Sequence, residues 1–335
     1  MTRWNTLPML VRHILAALAA LLIVVAATSI TDQITDIRIA RIGFYLVALA
    51  GLSILIGYSG QISLGHGAFM FVGAYTTALL ILNAPMVPLW LNLLLAVAVS
   101  CVAGLLVGAA TSRLHGPYLA GATLALALGL PELALRFPDV LGGNIGLTFQ
   151  TRGAPDFLGT MVPSTQWQAI VVWLVVLLAL VVLANISKGR LGRQMRALRD
   201  DETAAAMCGI QVGWTKVVAF VISAGCGGLA GALQAYTLGT ASPDTFSVVL
   251  SLTLLAVLVF GGLGSLWGAF WAAVAMVYIE VWGDEVRRTL ELPTNVANNL
   301  PLVLYGVLLI LVIRLWPGGI QGALRSARNW VQSRF

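Results

Sequence analysis

Residues Gly57–Phe69 read GYSGQISLGHGAF and cut a long apolar tract where a helix would otherwise run on. Glycine stands at 57, 60, 65 and 67, and Ser59, Gln61, Ser63 and His66 add side chains that donate or accept hydrogen bonds. Backbone of this kind is tolerated in a hydrocarbon layer only where protein buries it or where it lines a wet cavity. Far downstream, Gly261–Phe270 reads GGLGSLWGAF and repeats the order of elements. Each stretch has a G-x-x-G, then Ser-Leu (Ser63-Leu64, Ser265-Leu266), then Gly-Ala-Phe (Gly67-Ala68-Phe69, Gly268-Ala269-Phe270).

The sequence around these stretches is overwhelmingly apolar. Of 335 residues, 59% are hydrophobic and only 10% charged, against roughly 25% charged in soluble domains. No Asp, Glu, Lys or Arg occurs over 42–112, 157–187 or 245–279. A helical span takes about 20 apolar residues, so the first block alone holds three. The chain reads as an all-α, polytopic membrane protein in one domain, 1–335, with about ten transmembrane helices, some broken by glycine. The expected spans are 10–30, 41–56, 67–82, 89–109, 118–135, 167–184, 216–238, 248–262, 266–282 and 298–315. The apolar run after Arg3 and Arg12 is long for a secretory signal and reads as the first span. The pI near 9.6 reflects basic residues that follow the membrane, so no nucleic-acid partner is expected. With both termini cytoplasmic, thirteen of the nineteen Lys and Arg fall on that side, as the positive-inside rule prefers.

Two loops stand out. The outer loop, about 136–166, carries Pro138, Pro155, Pro163 and a Gly-Gly-Asn at 142–144, and should be irregular or partly helical. It is a lid or partner-binding loop, or simply an ordered cover over helix ends. The inner loop, about 185–215, is the most polar part of the chain. Its basic run (Lys188, Arg190, Arg193, Arg196, Arg199) gives way to Asp200, Asp201 and Glu202, then to Ala204, Ala205, Ala206, Met207 and Gly209. The acids suit a helix N-terminus, with Asp200 or Asp201 as cap, and Gly209 suits a stop. A basic patch held by anionic lipid would account for the arginines alone. The acidic cap and small-residue face favour a docking helix for another protein.

Catalytic signatures are missing. Neither lysine, Lys188 nor Lys216, stands in a P-loop, and H-E-x-x-H, C-x-x-C and G-x-S-x-G do not occur. Cys101, Cys208 and Cys226 have neither metal-ligand nor disulfide spacing. The chain is expected to be no enzyme and to hold no metal or cofactor. His66 is the one ionisable group in the first break, and bonding to a backbone carbonyl of its own broken helix is the ordinary role there. Tyr58, Tyr75 and Tyr118 are path residues or interfacial anchors. Gly73, Gly104, Gly225, Gly227, Gly228 and Gly231 read as close-packing positions. Thr123, Ser223 and Ser251 read as bonding back to their own helices.

With these residues laid out, the chain resembles the branched-chain amino acid ABC transporter permeases, the larger of the two permease kinds. The resemblance runs from about Ile42 to Gly319. It rests on GYSGQISLGHGAF with GAY at 73–75, and on GPYLAGATLAL at 116–126. Two further pieces are GRQMRALRDDETAAAMCGI (192–210) running into KVVAFVISAGCGGLAGAL (216–233), and SPDTF (242–246) followed by VFGGLGSLWG (259–268). It implies an importer in the bacterial cytoplasmic membrane with a second homologous permease, two cytoplasmic ATPases that hold ATP and Mg, and a periplasmic solute-binding protein. It also implies that Arg193–Gly209 is the element that docks in the ATPase cleft, since Glu202, Ala204, Ala205 and Gly209 match its pattern. The outer loop reads LGGNIGLTF (141–149), where the family has Thr-Gly-Gly and a second glycine-rich turn, and the family also serves urea, short amides and aromatic acids.

The expected translocation path is Tyr58, Ser59, Gln61, Ser63, His66, Tyr75, Tyr118, Thr123, Gly261, Gly264 and Ser265. The expected coupling residues are Arg193, Arg196, Arg199, Asp200, Asp201, Glu202, Ala204, Ala205 and Gly209. Asp139, Asn144 and Asp244 are the expected contacts of the binding protein. A stand-alone secondary transporter or channel also uses glycine-broken helices, and would work without an ATPase.

Overall fold

The computed structural model describes residues 9–112, 114, 116–151, 153–154 and 162–289, with 303, 306, 307, 310, 314 and 319–323. Among them, nine helices are long and apolar enough to cross a membrane. The expected span 298–315 lies almost wholly outside the described residues. The crossing helices are α1 (Met9–Thr28), α2 (Gln33–Leu52, widening into a π-helix over Ser53–Tyr58), α3 (His66–Asn83), α4 (Leu89–Thr111) and α5 (Pro117–Arg136). A short α6 (Pro138–Leu141) and strand β1 (Leu147–Thr148) precede α7 (Ser164–Lys188). Then come α8 (Arg190–Asp200), α9 (Glu202–Met207), α10 (Val212–Leu238), β2 (Thr240–Ala241), α11 (Val248–Gly261) and α12 (Leu266–Thr289). The molecule is an all-α, multi-pass membrane protein.

α10 forms the axis of the core, with α2, α3 and α4 packed around it. Its 27 residues make a rod of about 40 Å at 1.5 Å per residue. Small residues let its neighbours reach its backbone, the usual means of close packing between apolar helices in lipid. A Cβ on Gly231 would fall 1.8 Å from Met70 O of α3, and one on Gly228 would fall 2.0 Å from Ser100 Oγ of α4. α7 packs on α2, where Trp173 Nε1 donates to Ile39 O at 2.8 Å. α1 is nearly bare and rests against α7, with the His13 ring within bonding distance of both Asn185 and Lys188.

α2 begins at Gln33, well before the expected 41. Arg38, outside the expected span, therefore lies inside the helix, and Arg41, the first residue of that span, sits well within it and forms an ion pair with Glu280 of α12. A charge is tolerated in an apolar span when its partner lies beside it. That partner is 239 residues away, so the local sequence shows only a charge that ought to end the span.

Candidate functional site

Three segments meet at the α8–α9 end of the rod: the two glycine breaks and the inner loop. The first break is a return into the protein. α2 ends in its π-helical turn, Ser59–Gly65 runs without helix, and α3 starts at His66. α10 serves as a ruler for the depth of this return. Gln61 Nε2 donates to Lys216 O, in the second turn of α10, at 3.2 Å. The His66 ring lies against Gly227, where a Cβ would fall 3.3 Å from its Cε1. Lys216 and Gly227 are about 16 Å apart along the helix axis, so the return segment climbs to near the middle of the rod. The first break is re-entrant, and α3 starts from beside the middle of α10.

This depth explains the polar residues. Ser59, Gln61, Ser63 and His66 are all buried, each 5% exposed or less, and each has work to do. Ser59 Oγ donates to Leu55 O at 2.7 Å, and Gln61 Nε2 also donates to Ser59 Oγ at 2.9 Å. Ser63 Oγ accepts from Gly65 N at 3.3 Å. Other helices supply the remaining partners. Thr123 Oγ1 of α5 accepts from Leu64 N at 2.9 Å, and Ser251 Oγ of α11 accepts from Gly67 N at 3.0 Å. Ser223 Oγ of α10 lies 3.5 Å from His66 Nδ1. Thr123 does bond back to its own helix as expected, but it also holds the break. Ser223 and Ser251 reach across to it. An unpaired buried amide costs ~1–3 kcal/mol, so these contacts are what makes a non-helical segment tenable at this depth.

The other expected path residues divide. Tyr58 is buried, and Tyr75 is buried against the Phe71 ring, centroids 4.2 Å apart. Tyr118 stands apart from the break and is 78% exposed on α5. Gly261, Gly264 and Ser265 form the second break, which is a tight turn rather than a return. Only residues 262–265 separate α11 from α12, with Gly262 at φ 111° and Gly264 at φ 73°. A Cβ on Gly261 would fall 2.1 Å from Gly268 O, and one on Gly319 would fall 2.7 Å from Gly262 Cα. The two breaks touch each other backbone to backbone: a Cβ on Gly57 would fall 2.2 Å from Gly264 N.

The inner loop folds as two helices where one was expected. α8 carries the basic run, and Asp201 caps α9 by accepting from Thr203 N and Ala204 N at 2.8 and 2.9 Å. Gly209 takes φ 80° after α9, as a glycine stop does. Several expected coupling residues point inward. Ala205 is buried, Arg196 lies 5.4 Å over the Tyr58 ring, and Glu202 pairs with the buried Lys216 Nζ at 2.6 Å. Arg199 Nη1 donates to Gly57 O at 2.7 Å, and Arg193 Nη1 donates to Lys188 O at 3.2 Å. Asp200 accepts from Arg199. Outward lie Ala204, Ala206, Met207, Cys208 and Gly209, with Met207 88% exposed. Links such as Arg199 to Gly57 join residues far apart in the chain and had no local signal.

At the opposite end of the rod, Leu147 and Thr148 pair antiparallel with Ala241 and Thr240, and Phe149 N donates to Gly239 O at 2.9 Å. This ribbon binds the outer loop to the end of α10. Asp139, Asn144 and Asp244 are all exposed there.

Comparison with known proteins agrees with this arrangement. Residues 34–313 match the family model described as branched-chain amino acid transport system, permease component. The chain is 33% identical to the high-affinity branched-chain amino acid transport system permease protein LivM of Salmonella typhimurium, over 90% of this chain and 74% of that one. It is 30% identical to the LivM protein of Escherichia coli, with the same coverage. It is 25% identical to the permease protein BraD of Pseudomonas aeruginosa, over 83% of this chain and 91% of that one. No solved structure gives a significant match. A match over most of the chain, with the breaks and the inner loop inside it, makes this protein a member of the branched-chain amino acid transport permease family.

Proposed function

We propose that the chain is the permease subunit of an ATP-driven importer for branched-chain or related amino acids. It works with a second homologous permease, two cytoplasmic ATPases and a periplasmic solute-binding protein, and both its termini are cytoplasmic. The observation that carries this reading is the α8–α9 element. Its tip is small, apolar and exposed, suited to a cleft in another protein, while its inner face is bonded to the first break and to α10. A push on the tip therefore acts on the re-entrant segment and, along α10, on the ribbon that carries the outer loop. The buried side chains of the break act as fasteners of a gate, and solute passes between this chain and the second permease. Tyr118 belongs to the free face of α5, where Cβ atoms on Gly121 or Gly129 would meet nothing within 4 Å, and that face borders the path.

Reconstitution in proteoliposomes tests the reading. Uptake should require ATP on the ATPase side and the binding protein on the other, and uptake without either would make the chain a stand-alone carrier. Ala204→Trp enlarges the exposed tip without touching the core. It should lower ATP hydrolysis stimulated by the loaded binding protein at least tenfold while the chain's detergent melting temperature stays within about 2 °C.

A further inference from the structure

The basic run of α8 reads from the sequence as a surface turned toward a partner, yet the Arg199 guanidinium is occupied within this chain. Nη1 donates to Gly57 O at 2.7 Å, while Nε and Nη2 donate to Asp200 Oδ1 at 3.2 and 3.0 Å. Gly57 O belongs to the closing turn of a spanning helix, where carbonyls lack intrahelical partners and a nearby cation is favoured. That turn contains no basic residue of its own. Glycines make room for the arginine on each side. A Cβ on Gly60 would fall 3.0 Å from Arg199 Cγ, and one on Gly264 would fall 3.9 Å from Nη1 and 3.3 Å from Gly57 O. One side chain from the inner loop thus lies at the point where both breaks meet.

We infer that Arg199, oriented by Asp200, is the internal link through which movement of α8–α9 reaches both breaks at once. It is a positioning residue rather than a contact of the ATPase. A hydrogen bond weakens steeply once donor and acceptor part beyond about 3.5 Å, so a displacement of α8 by about 1–2 Å leaves Gly57 O uncapped and frees the junction with Gly264. The link thus has two states, seated and unseated. This inference rests on the reading that partner ATPases move α8–α9.

Two measurements on the complete reconstituted complex test it. In the first, Arg199→Gln should lower solute moved per ATP hydrolysed at least tenfold with both ATPases still co-purifying, and Arg199→Lys, which keeps one cationic donor, should recover part of that ratio. A ratio within twofold of native, or loss of the ATPases from the purified complex, would overturn the inference; the latter outcome would make Arg199 a docking contact. The second uses Gly60→Cys with Arg199→Cys on a Cys208→Ser background. A Cβ on Gly60 would stand 3.5 Å from Arg199 Cβ, within disulfide reach. Mild oxidation should cross-link the nucleotide-free complex, with yield falling at least fivefold when the ATPases are trapped with a non-hydrolysable ATP analogue. Equal yields in the two states would refute it. Failure of the proposed function itself would be seen separately, as a native complex without ATP-dependent uptake.

Discussion

The two glycine breaks share an order of residues and differ in almost everything else. Gly57–Phe69 turns back into the protein, fixes its backbone with side chains from α5 and α11, and anchors to the α10 backbone through its own Gln61. Gly261–Phe270 turns at once from α11 into α12 and leaves Leu263 and Trp267 exposed. The glycines they share mark where backbone meets backbone, as Gly57 meets Gly264. The polar residues found only in the first mark where backbone goes deep. A glycine pattern therefore locates a close approach, and the hydroxyls and amides around it indicate whether that approach is buried.

That contrast can be broken at four points. The largest effect should follow Gly57→Val. Its Cβ would fall 2.2 Å from a backbone nitrogen, where no flexible side chain can yield, so the loss should exceed about 4 kcal/mol and abolish recovery of monodisperse protein in detergent. Next, Thr123→Ala removes the acceptor of Leu64 N in the deep break. It should cost about 1–3 kcal/mol and lower the melting temperature, whereas Thr123→Ser, which keeps the hydroxyl, should restore most of it. Gly264→Ala puts a side chain on a residue at φ 73° in the shallow break and should cost about 1–2 kcal/mol. Leu263→Gln, on the exposed tip of that turn, should shift stability by no more than about 0.5 kcal/mol. A Leu263 effect as large as that of Thr123 would mean that the shallow turn is covered in the working assembly, and the contrast would fail.

Much of the fold was legible because a charge-free tract long enough to cross a membrane has few other fates. Errors arose where a charge was taken to end a span. Arg41 lies inside α2 because Glu280 of α12 neutralises it, and nothing near Arg41 in the chain announces that partner. The first break was legible as a place needing hydrogen bonds, but its depth was not, since depth is set by contacts with Lys216 and Gly227 of a distant helix. The inner loop shows the same limit. Asp201 as cap and Gly209 as stop are local matters and could be read directly. The bond from Arg199 to Gly57 and the pairing of Glu202 with Lys216 depend on packing that brings remote segments together.

The ribbon between residues 147–148 and 240–241 bears on how quickly the solute-binding protein proposed above would be met. Close glycine turns support it: a Cβ on Gly142 would fall 2.2 Å from Gly146 O, and one on Gly146 would fall 2.2 Å from Ala241 O. The loop around Asp139 and Asn144 is thereby tied to the end of α10 within this chain. A surface ordered in advance spends none of the binding energy on arranging itself, and encounter is not slowed by a wait for a loop to settle. On the proposed function, a shuttle that arrives, discharges and departs in every cycle would be best served by such a landing, one quick to recognise and just as quick to release.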